Sequence, residues 1–314
     1  MAARIAVIGC GYWGSNHVRT LSELGVLAAV CDADMARATA VAEAHGCVAR
    51  SVDDVMADAT IDGVVCALPA DQHPIVANRA LNAGKHVFVE KPIALSADKA
   101  RAVADLADAK GLVLMAGHIL RYHNAFGAVM DLLADGAVGT VRHIQSHRLA
   151  FGKFHDRFDA LWDLGPHDLS LVLAVTGQGP NHVHGVTNVY AGTACDAAHV
   201  HMRFADDVTA HIYISRHSPY KERRFVVTGS EAMIVWDDFA DWPQKVALYR
   251  HKVWQEDGAN QFSLDEPTYV PVEPGMALTD ELSHFLACIE TGEIPLTSGR
   301  QAVDIIDVLE KAAS

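Results

Sequence analysis

The chain has 314 residues, of which 50% are hydrophobic and 20% charged, and its formal net charge at pH 7 is −14. This length allows one large domain or two ordinary ones with a substantial core. The acidic balance disfavours a nucleic-acid surface, which needs basic side chains. The apolar runs are too short or too interrupted to span a membrane, and no secretory leader precedes the first apolar run, so we expect a cytoplasmic protein with reduced cysteines.

The first part of the chain, up to about residue 117, alternates short apolar runs with alanine-rich segments of helical pattern. This alternation predicts βαβ units, in which helices cover both faces of a parallel sheet. The predicted strands are 5–8, 26–31, 61–68, 86–89 and 112–116, and the predicted helices are 15–24, 35–45, 75–83 and 97–109.

After residue 138 the pattern changes to strands in direct succession, which favours an antiparallel sheet. These strands are 141–150, 183–191, 199–204, 208–215, 225–229 and 233–236. Residues 257–275 are predicted to form an irregular loop, and helices 280–291 and 300–312 close the chain, the second capped by Ser298. We therefore predict an α/β protein with a doubly wound parallel (Rossmann) sheet in residues 1–120. Residues 121–314 are predicted to form an α+β domain on an open, mostly antiparallel sheet.

A glycine pattern between the first strand and the first helix predicts a dinucleotide site. In Gly9-Cys10-Gly11-Tyr12-Trp13-Gly14 the first glycine permits a tight turn, the second lets a pyrophosphate approach the backbone, and the third allows close helix packing. The helix N-terminus then offers unpaired N–H groups to the anion. Asp32 ends the second strand, where a carboxylate can hold both ribose hydroxyls.

Asp32 also predicts which dinucleotide binds. A carboxylate at this position repels a 2′-phosphate, so NAD is favoured over NADP. Arg37, one helical turn further on, is able to stack on adenine or accept a phosphate, and is otherwise a solvated helix residue. Tyr12 and Trp13 are expected to pack against the dinucleotide or the neighbouring domain.

The sequence Glu90-Lys91-Pro92 at the end of a predicted strand, with Leu68-Pro69 and His73, resembles the glucose–fructose oxidoreductase, inositol dehydrogenase and MocA family. The resemblance extends over nearly the whole chain, including Gly117-His118, Arg121-Tyr122 and residues 281–289. It implies a dinucleotide fold followed by an open, mostly antiparallel sheet, in agreement with the pattern above.

Lys91 is a candidate catalytic residue on physical grounds as well. It follows a parallel strand at its carboxyl end, where open α/β sheets place their ligands. Pro92 restricts the conformation of Lys91, through a trans or a cis bond, so that the ammonium is aimed. A lysine there can hydrogen-bond a reacting hydroxyl and stabilise alkoxide character, with Glu90 positioning it. The alternative is a surface lysine at a strand end.

Residues 162–168 form the second candidate cluster. Pro166 suits the first position of a helix, which would put His167 in the first turn and keep its imidazole neutral. Asp163 would then orient the imidazole or contact a second substrate hydroxyl. The resemblance implies His167 as proton acceptor, with Asp163 and Lys91 beside it. The alternative makes Asp163 a cap and His167 a packed histidine, and Asp168 is expected to be structural.

The remaining candidates are weaker. His118 either lines the nicotinamide pocket or is buried and hydrogen-bonded. Arg148, Lys153 and Arg157 either bind a carboxylate or diphosphate or form an ordinary charged loop. The predicted cofactor contacts are Gly9, Gly11, Tyr12, Trp13, Gly14, Asp32, Arg37, Leu68, His73, Glu90 and Lys91, and the predicted substrate contacts are His118, Arg148, Lys153, Arg157, Asp163 and His167.

Eighteen histidines raise the question of a metal site. His182 with His184, and His199 with His201, have the spacing that places both side chains on one face of a strand. No carboxylate or cysteine completes an obvious ligand set, so we predict no metal and treat these histidines as residues of a sheet face or a subunit contact.

The resemblance implies an NAD-dependent enzyme that takes a hydride from a ring carbon of a sugar. The segments 117–123 and 162–168 are most similar to the branch of UDP-N-acetylglucosaminuronate 3-dehydrogenases, which implies the 3-position of a nucleotide sugar, although Arg121 departs from that branch. Inositol, a free sugar or a sugar phosphate are alternative substrates. Deoxysugar ketoreduction, an NAD-dependent glycosidase and a non-catalytic NAD sensor are alternative functions. An open sheet face also predicts a homodimer or homotetramer.

Overall fold

A computed structural model of the chain describes residues 3–152, 154, 159–190 and 192–314. The chain divides into two compact units. The first consists of Met1–Ile119 and Met276–Asp307, and the second of Leu120–Gly275 and Val308–Ser314.

A six-stranded sheet forms the centre of the first unit, and all its strands run parallel, as predicted. Its order is β3-β2-β1-β4-β5-β6, so the two halves of the sheet run outward from β1 and β4. The central strands are buried along their whole length because helices cover both faces. The strands are β1 Ile5–Ile8, β2 Leu27–Cys31, β3 Val48–Ala49, β4 Gly63–Cys66, β5 His86–Glu90 and β6 Leu114–Gly117.

Five helices connect these strands, and most begin at side chains that accept hydrogen bonds from the first turn. Asp34, Ser51 and Ser96 are caps of this kind. Two helices end at glycines in the left-handed conformation, Gly46 and Gly111. The helices are α1 Tyr12–Glu23, α2 Met35–His45, α3 Val52–Ala57, α4 His73–Asn82 and α5 Ala97–Lys110.

An eight-stranded sheet forms the second unit, with the order β16-β13-β12-β11-β7-β10-β9-β8. Its neighbours are antiparallel apart from β7 and β10, which pair in parallel, so the predicted open, mostly antiparallel sheet is confirmed. The strands are β7 Val141–Phe151, β8 His182–Asn188, β9 Ala197–Arg203, β10 Thr209–Ser215, β11 His217–Gly229, β12 Met233–Asp237, β13 Val246–Tyr249, and β16 Thr268–Val270, with a separate hairpin of β14 Lys252–Glu256 and β15 Ala259–Ser263.

Two predictions about this unit are wrong. The segment 257–275 is not irregular throughout, because it contributes β15 and β16. The described part of the unit also contains the helices α6 Asn124–Ala134 and α7 Ala160–Thr176. The second error concerns the start of α7. Pro166 does not begin α7 but lies inside it, so His167 stands in the second turn and not at the helix N-terminus.

The start of α7 is decided by Asp159. Its carboxylate accepts hydrogen bonds from the amides of Leu161 and Trp162, at 2.7 and 3.3 Å, and so caps the helix seven residues before Pro166. The helix dipole was expected to keep the His167 imidazole neutral. This argument does not apply, because the effect fades within the first turn and His167 lies in the second.

Two helices close the chain, α8 Ala277–Thr291 and α9 Gly299–Ala313. The ring of Phe285 on α8 meets that of Phe88 on β5 at 5.8 Å, which ties this helix to the first unit. The predicted second domain, 121–314, differs from the observed division in this respect, because residues 276–307 return to the first unit. Ser298 accepts a hydrogen bond from the amide of Gln301, as its predicted role as a cap requires.

None of the helices in the described part of the chain combines the length and the apolar character that a membrane crossing requires.

Candidate active site

The glycine turn between β1 and α1 has the geometry of an anion cradle. Gly9 adopts a φ of +100°, and a Cβ there would lie 2.3 Å from the carbonyl oxygen of Ala67. A Cβ on Gly14 would lie only 1.8 Å from the carbonyl oxygen of Gly9. A Cβ on Gly11, in contrast, would meet nothing within 4 Å. Two glycines are therefore needed by the fold itself, and the space beside Gly11 suits a pyrophosphate.

The N-terminus of α1 fits this reading. Gly11 is its N-cap, and no side chain caps the helix. The N–H groups of the first turn are thus left for an anion. Tyr12 is 83% exposed, and its ring meets that of Trp13 edge to face at 5.9 Å. Leu68 lies below the turn, with its Cδ2 atom 3.2 Å from the Cβ position of Gly9.

Asp32 is fixed next to this turn. Its Oδ2 accepts a hydrogen bond of 2.8 Å from the amide of Cys10, and its Oδ1 accepts one of 2.9 Å from the amide of Asp34. Arg37 adds a contact of 3.4 Å. Partial burial alone would raise the pKa of Asp32, but these hydrogen bonds and the charge of Arg37 lower it below its ordinary value. Asp32 is therefore an oriented anion beside the cofactor turn.

The end of β5 carries Glu90 and Lys91, and the Lys91–Pro92 peptide is cis. His17 on α1 and the Oε1 atom of Glu90 are joined by a hydrogen bond of 2.7 Å. The Oε2 atom of Glu90 accepts a bond of 3.2 Å from the amide of Lys91. Both oxygens of Glu90 are thus used to hold the strand end from which the Lys91 side chain departs.

His73 holds the other side of the same turn. It begins α4 and is 1% exposed, and its Nδ1 donates to the carbonyl oxygen of Pro92 at 2.8 Å. Burial lowers the pKa of His73 by more than the bond to Pro92 raises it, which favours the neutral imidazole. A neutral ring with Nδ1–H as donor is what the bond to a carbonyl requires.

In the second unit, α7 presents Asp163 and His167 four residues apart, on the same face of the helix. Arg216, which follows β10, donates a hydrogen bond of 2.7 Å to Oδ2 of Asp163. The Arg216 side chain is 4% exposed and that of Asp163 is 38% exposed. The buried cation therefore holds a partly open carboxylate one turn from the imidazole.

Arg148 lies in a different environment from the one predicted. Its Nε donates to Oδ2 of Asp168 at 2.6 Å and its terminal nitrogen to Oδ1 at 3.2 Å. The same Oδ1 accepts a bond of 2.7 Å from the hydroxyl of Ser146. Arg148 is engaged in fastening α7 to β7, in keeping with the expected structural role of Asp168. Lys153 and Arg157 lie outside the described residues.

The other predicted histidines fall into two groups. His118 follows β6 and is 2% exposed, and its amide donates to the carbonyl oxygen of Ala116. On the second sheet His184 pairs with His201, and His201 pairs with His211. The rings of His201 and His211 stack at 4.5 Å, and those of His199 and Tyr213 at 4.1 Å. The described residues contain no group of three side chains arranged to hold a metal ion.

Comparison with known proteins identifies the family. Residues 3–118 match the model of an oxidoreductase family with an NAD-binding Rossmann fold, and residues 126–235 match the GFO/IDH/MocA C-terminal domain. The chain belongs to the GFO/IDH/MocA oxidoreductase family. The resemblance seen in Glu90-Lys91-Pro92 and the glycine turn is thereby confirmed.

Several family members of known activity are similar to the chain. UDP-N-acetylglucosamine 3-dehydrogenase from Acidithiobacillus ferrooxidans is 34% identical over 217 residues, which span 68% of this chain and 67% of the relative. Inositol 2-dehydrogenase from Rhizobium meliloti is 27% identical over 326 residues, which span 99% and 96%. A solved structure of the Acidithiobacillus enzyme matches with a TM-score of 0.86 at 27% identity, covering 99% of this chain and 97% of that one. This GFO/IDH/MocA member is thus an NAD-binding oxidoreductase of the sugar or nucleotide-sugar dehydrogenase type.

Two residues of the candidate site escaped the sequence analysis. His17 holds Glu90, and Arg216 holds Asp163. His17 sits next to Val18 on the buried side of an amphipathic helix, where an uncompensated imidazole would be costly, and this was an available signal. Arg216 directly follows an apolar strand, a weaker signal, because arginines often stand at strand ends.

Proposed function

We propose that the protein is an NAD-dependent dehydrogenase that oxidises a ring hydroxyl of a sugar or nucleotide sugar, with His167 as proton acceptor and Lys91 as donor to the hydroxyl. The observation that carries the proposal is the double anchoring of Glu90, by His17 and by the Lys91 amide, at the end of β5. A lysine that merely covers the surface needs no such support.

The residues have separate tasks in this proposal. The Lys91 ammonium donates a hydrogen bond to the reacting oxygen and stabilises the negative charge that develops on it. The His167 imidazole takes the proton from that hydroxyl. Asp163, which is held by the hydrogen bond from the buried Arg216, accepts a hydrogen bond from a second hydroxyl or from the imidazole. A bound NAD would supply the acceptor for the hydride that leaves the same carbon.

The geometry of the first unit suits a dinucleotide with an unmodified ribose. Asp32 is an anion whose oxygens are fixed by two backbone amides. An anion at this point accepts hydrogen bonds from ribose hydroxyls and repels a 2′-phosphate. Arg37 already contacts both Asp32 and Asp34. We therefore propose NAD and not NADP as the physiological cofactor.

For the substrate we propose a nucleotide sugar oxidised at its 3-position. The proposal is supported by the relative from Acidithiobacillus, which acts on UDP-N-acetylglucosamine at that position according to its name. Because inositol 2-dehydrogenase is similar over nearly the whole chain, inositol is the second substrate class to test.

A substrate screen tests the function directly. Purified protein is incubated with NAD or NADP and with UDP-sugars, free sugars, sugar phosphates or inositols, and reduced cofactor is followed by its absorbance. We expect reduction of NAD with a UDP-sugar, and loss of this signal in His167→Asn but not in His182→Asn, which changes an exposed histidine of β8. No reduction with any compound would overturn the proposal, and release of a leaving group without net reduction would indicate a glycosidase.

The assembly is proposed to be a homodimer or homotetramer that covers the open face of the second sheet. Exposed sheet faces of this size are usually covered by a partner in folded proteins. Sedimentation equilibrium distinguishes the two assemblies, and a monomer at micromolar concentration would refute both.

A further inference from the structure

The first unit contains a buried carboxyl group that the proposed mechanism does not use. Glu281 on α8 is 1% exposed. Neither of its carboxyl oxygens has a hydrogen-bond partner among the described residues. A charged carboxylate is strongly disfavoured in such surroundings, whereas a neutral acid is tolerated much better.

The surroundings of Glu281 connect it to the end of β5. Phe285, one turn along α8, packs its ring on Phe88, and Phe88 in turn contacts the ring of His17 at 5.3 Å. Glu90 is the charged group that acts on Glu281. Burial, reinforced by the negative charge of Glu90, raises the pKa of Glu281 well above its ordinary value.

Glu90 has little freedom to adjust. Its two oxygens are engaged by His17 and by the amide of Lys91. A Cβ on Gly117 would lie 3.2 Å from the Oε2 atom of Glu90, so the end of β6 also limits the space around the Glu90 carboxylate. His17 is fully buried, and its second ring nitrogen, Nδ1, lacks a partner among the described residues.

Two carboxyl groups that share a buried site do not both ionise without a large cost. If Glu281 became charged, the two negative charges would repel, and Glu90 would be pushed from its bonds to His17 and to the amide of Lys91. The carboxyl oxygens of Glu281 have no partner among the described residues, whereas both oxygens of Glu90 are hydrogen-bonded, so Glu281 is the member of the pair that is expected to be neutral.

We propose that Glu281 is a positioning residue, held as a neutral carboxylic acid so that the Glu90 carboxylate stays bonded to His17 and to the amide of Lys91. The neutral state of Glu281 does not depend on the proposed function. Its effect on turnover does, because that effect is transmitted through Lys91.

Infrared difference spectroscopy of the cofactor-free protein tests the neutral state without any substrate. The wild type at pH 7 should show the carbonyl band of a protonated carboxylic acid, shifted in D2O, and Glu281→Gln should lack it. Glu290→Gln, which changes an exposed residue of the same helix, should keep it. Absence of the band in the wild type, or its survival in Glu281→Gln, would overturn the proposal.

Stability provides a second substrate-free measurement. Because the folded protein retains the Glu281 proton to a higher pH than the unfolded chain does, folding stability should fall as pH rises above the ordinary glutamate value of 4.5. Glu281→Gln should remove this contribution, so that its melting temperature relative to the wild type rises steadily with pH. A constant difference from pH 4 to pH 8 would contradict a neutral acid.

The pH dependence of turnover tests the positioning role. The charged group that acts on Glu281 is Glu90 of β5, which is itself bonded to His17 of α1 and to the amide of Lys91, while His284 on α8 is influenced by Glu293. We expect wild-type kcat to fall on the alkaline side as Glu281 ionises, and Glu281→Gln to keep its kcat there with an unchanged KM for NAD. An identical alkaline limb in the variant would refute positioning. If no substrate is turned over at all, the proposed function fails, and the infrared measurement still decides the state of Glu281.

Discussion

The ammonium of Lys91 is the single group on which the proposed chemistry depends most. We expect Lys91→Ala to lower kcat by about 10²- to 10³-fold, because one donor to a developing oxyanion is lost. The affinity for NADH, measured by fluorescence titration, should change little, since Glu90, His17 and the glycine turn are left in place.

Lys99→Ala is the matched control, because Lys99 is an exposed lysine of α5 in the same unit. It should have wild-type kcat and wild-type affinity. A Lys91→Ala variant that turns over normally would remove Lys91 from the mechanism.

Substitution of Arg148 distinguishes a structural role of this residue from a role in substrate binding. Its side chain is 12% exposed and that of Asp168 is 2% exposed, and the pair is bidentate. Arg148→Met leaves a buried carboxylate without its cation and should destabilise the protein by about 3–5 kcal/mol. Urea unfolding measures this.

The control for that variant is Arg203→Met, since Arg203 and Asp207 form an exposed pair. It should change the unfolding free energy by less than about 1 kcal/mol. Unchanged stability of Arg148→Met together with a raised KM for the sugar would support a substrate contact, which is one of the two roles that the sequence left open for Arg148.

The residues that could be predicted from the sequence are those whose partners lie close along the chain. The glycine turn and Asp32 belong to one βαβ unit, so local spacing identifies them. Asp168 and Arg148 are twenty residues apart, and Asp163 and Arg216 fifty-three, and no local pattern connects such pairs. Both partnerships join α7 to the sheet, so they depend on how α7 packs on β7 and β10, which only the folded unit fixes.

Among the elements, the geometry of the β1–α1 turn predicts opposite effects on folding for alanine substitutions at Gly14 and Gly11. Gly14→Ala should prevent correct folding of the turn or lower the melting temperature strongly, because its Cβ would overlap the carbonyl group of Gly9. Gly11→Ala should fold normally, since φ is −72° and the added Cβ meets only open space. Gly11→Ala should nevertheless lose NAD affinity, because the methyl group occupies the path of the pyrophosphate.

Thermal melting with and without NAD separates the two effects. Gly11→Ala is expected to melt like the wild type without cofactor and to gain less from added NAD. Full stabilisation of Gly11→Ala by NAD would mean that the pyrophosphate does not approach the backbone there.

The histidines of β7, β9 and β10 are expected to make the folding stability depend on pH. Burial, followed by the positive charge of neighbouring histidines, lowers the pKa of His211 to about 4. A depressed histidine pKa means that the unfolded chain takes up the proton first, so stability is present above pH 6.5 and is lost as pH falls toward 4. We expect the melting temperature of the wild type to drop over this window.

His211→Gln should flatten that drop, and His182→Gln, which changes an exposed histidine of β8, should not. Melting curves recorded from pH 7 to pH 4 provide the comparison. An equal slope for His211→Gln and the wild type would show that the stacked imidazoles do not control acid stability.

Element boundaries were predicted well where recognisable caps flank a regular segment. They were predicted poorly where a proline was taken as the start of a helix. Helix α2 has the predicted bounds, because Asp34 precedes and Gly46 follows a regular segment. Helix α7 begins earlier than predicted, because Asp159 caps it and Pro166 is accommodated inside. Proline alone was therefore a misleading signal for the start of this helix.

For the molecule as a whole, the sequence predicted two units and the type of sheet in each. It did not predict that the chain comes back to the first unit after residue 275. Residues 276–307 belong to the first unit, where Phe285 packs on Phe88. An amphipathic helix pattern indicates that one face is buried and does not say against which sheet. The Glu281 carboxyl reaches the neighbourhood of Glu90 only through this return.

The central proposal is that Lys91 and His167 act on one substrate hydroxyl. A double-mutant cycle on the rate of single-turnover hydride transfer tests it most directly, with the wild type, Lys91→Ala, His167→Asn and the double variant. If both groups act on the same hydroxyl, the double variant should be hardly slower than the slower single variant, since groups that act as a unit are non-additive. Losses that multiply in the double variant would show that the two residues act independently and would contradict the account.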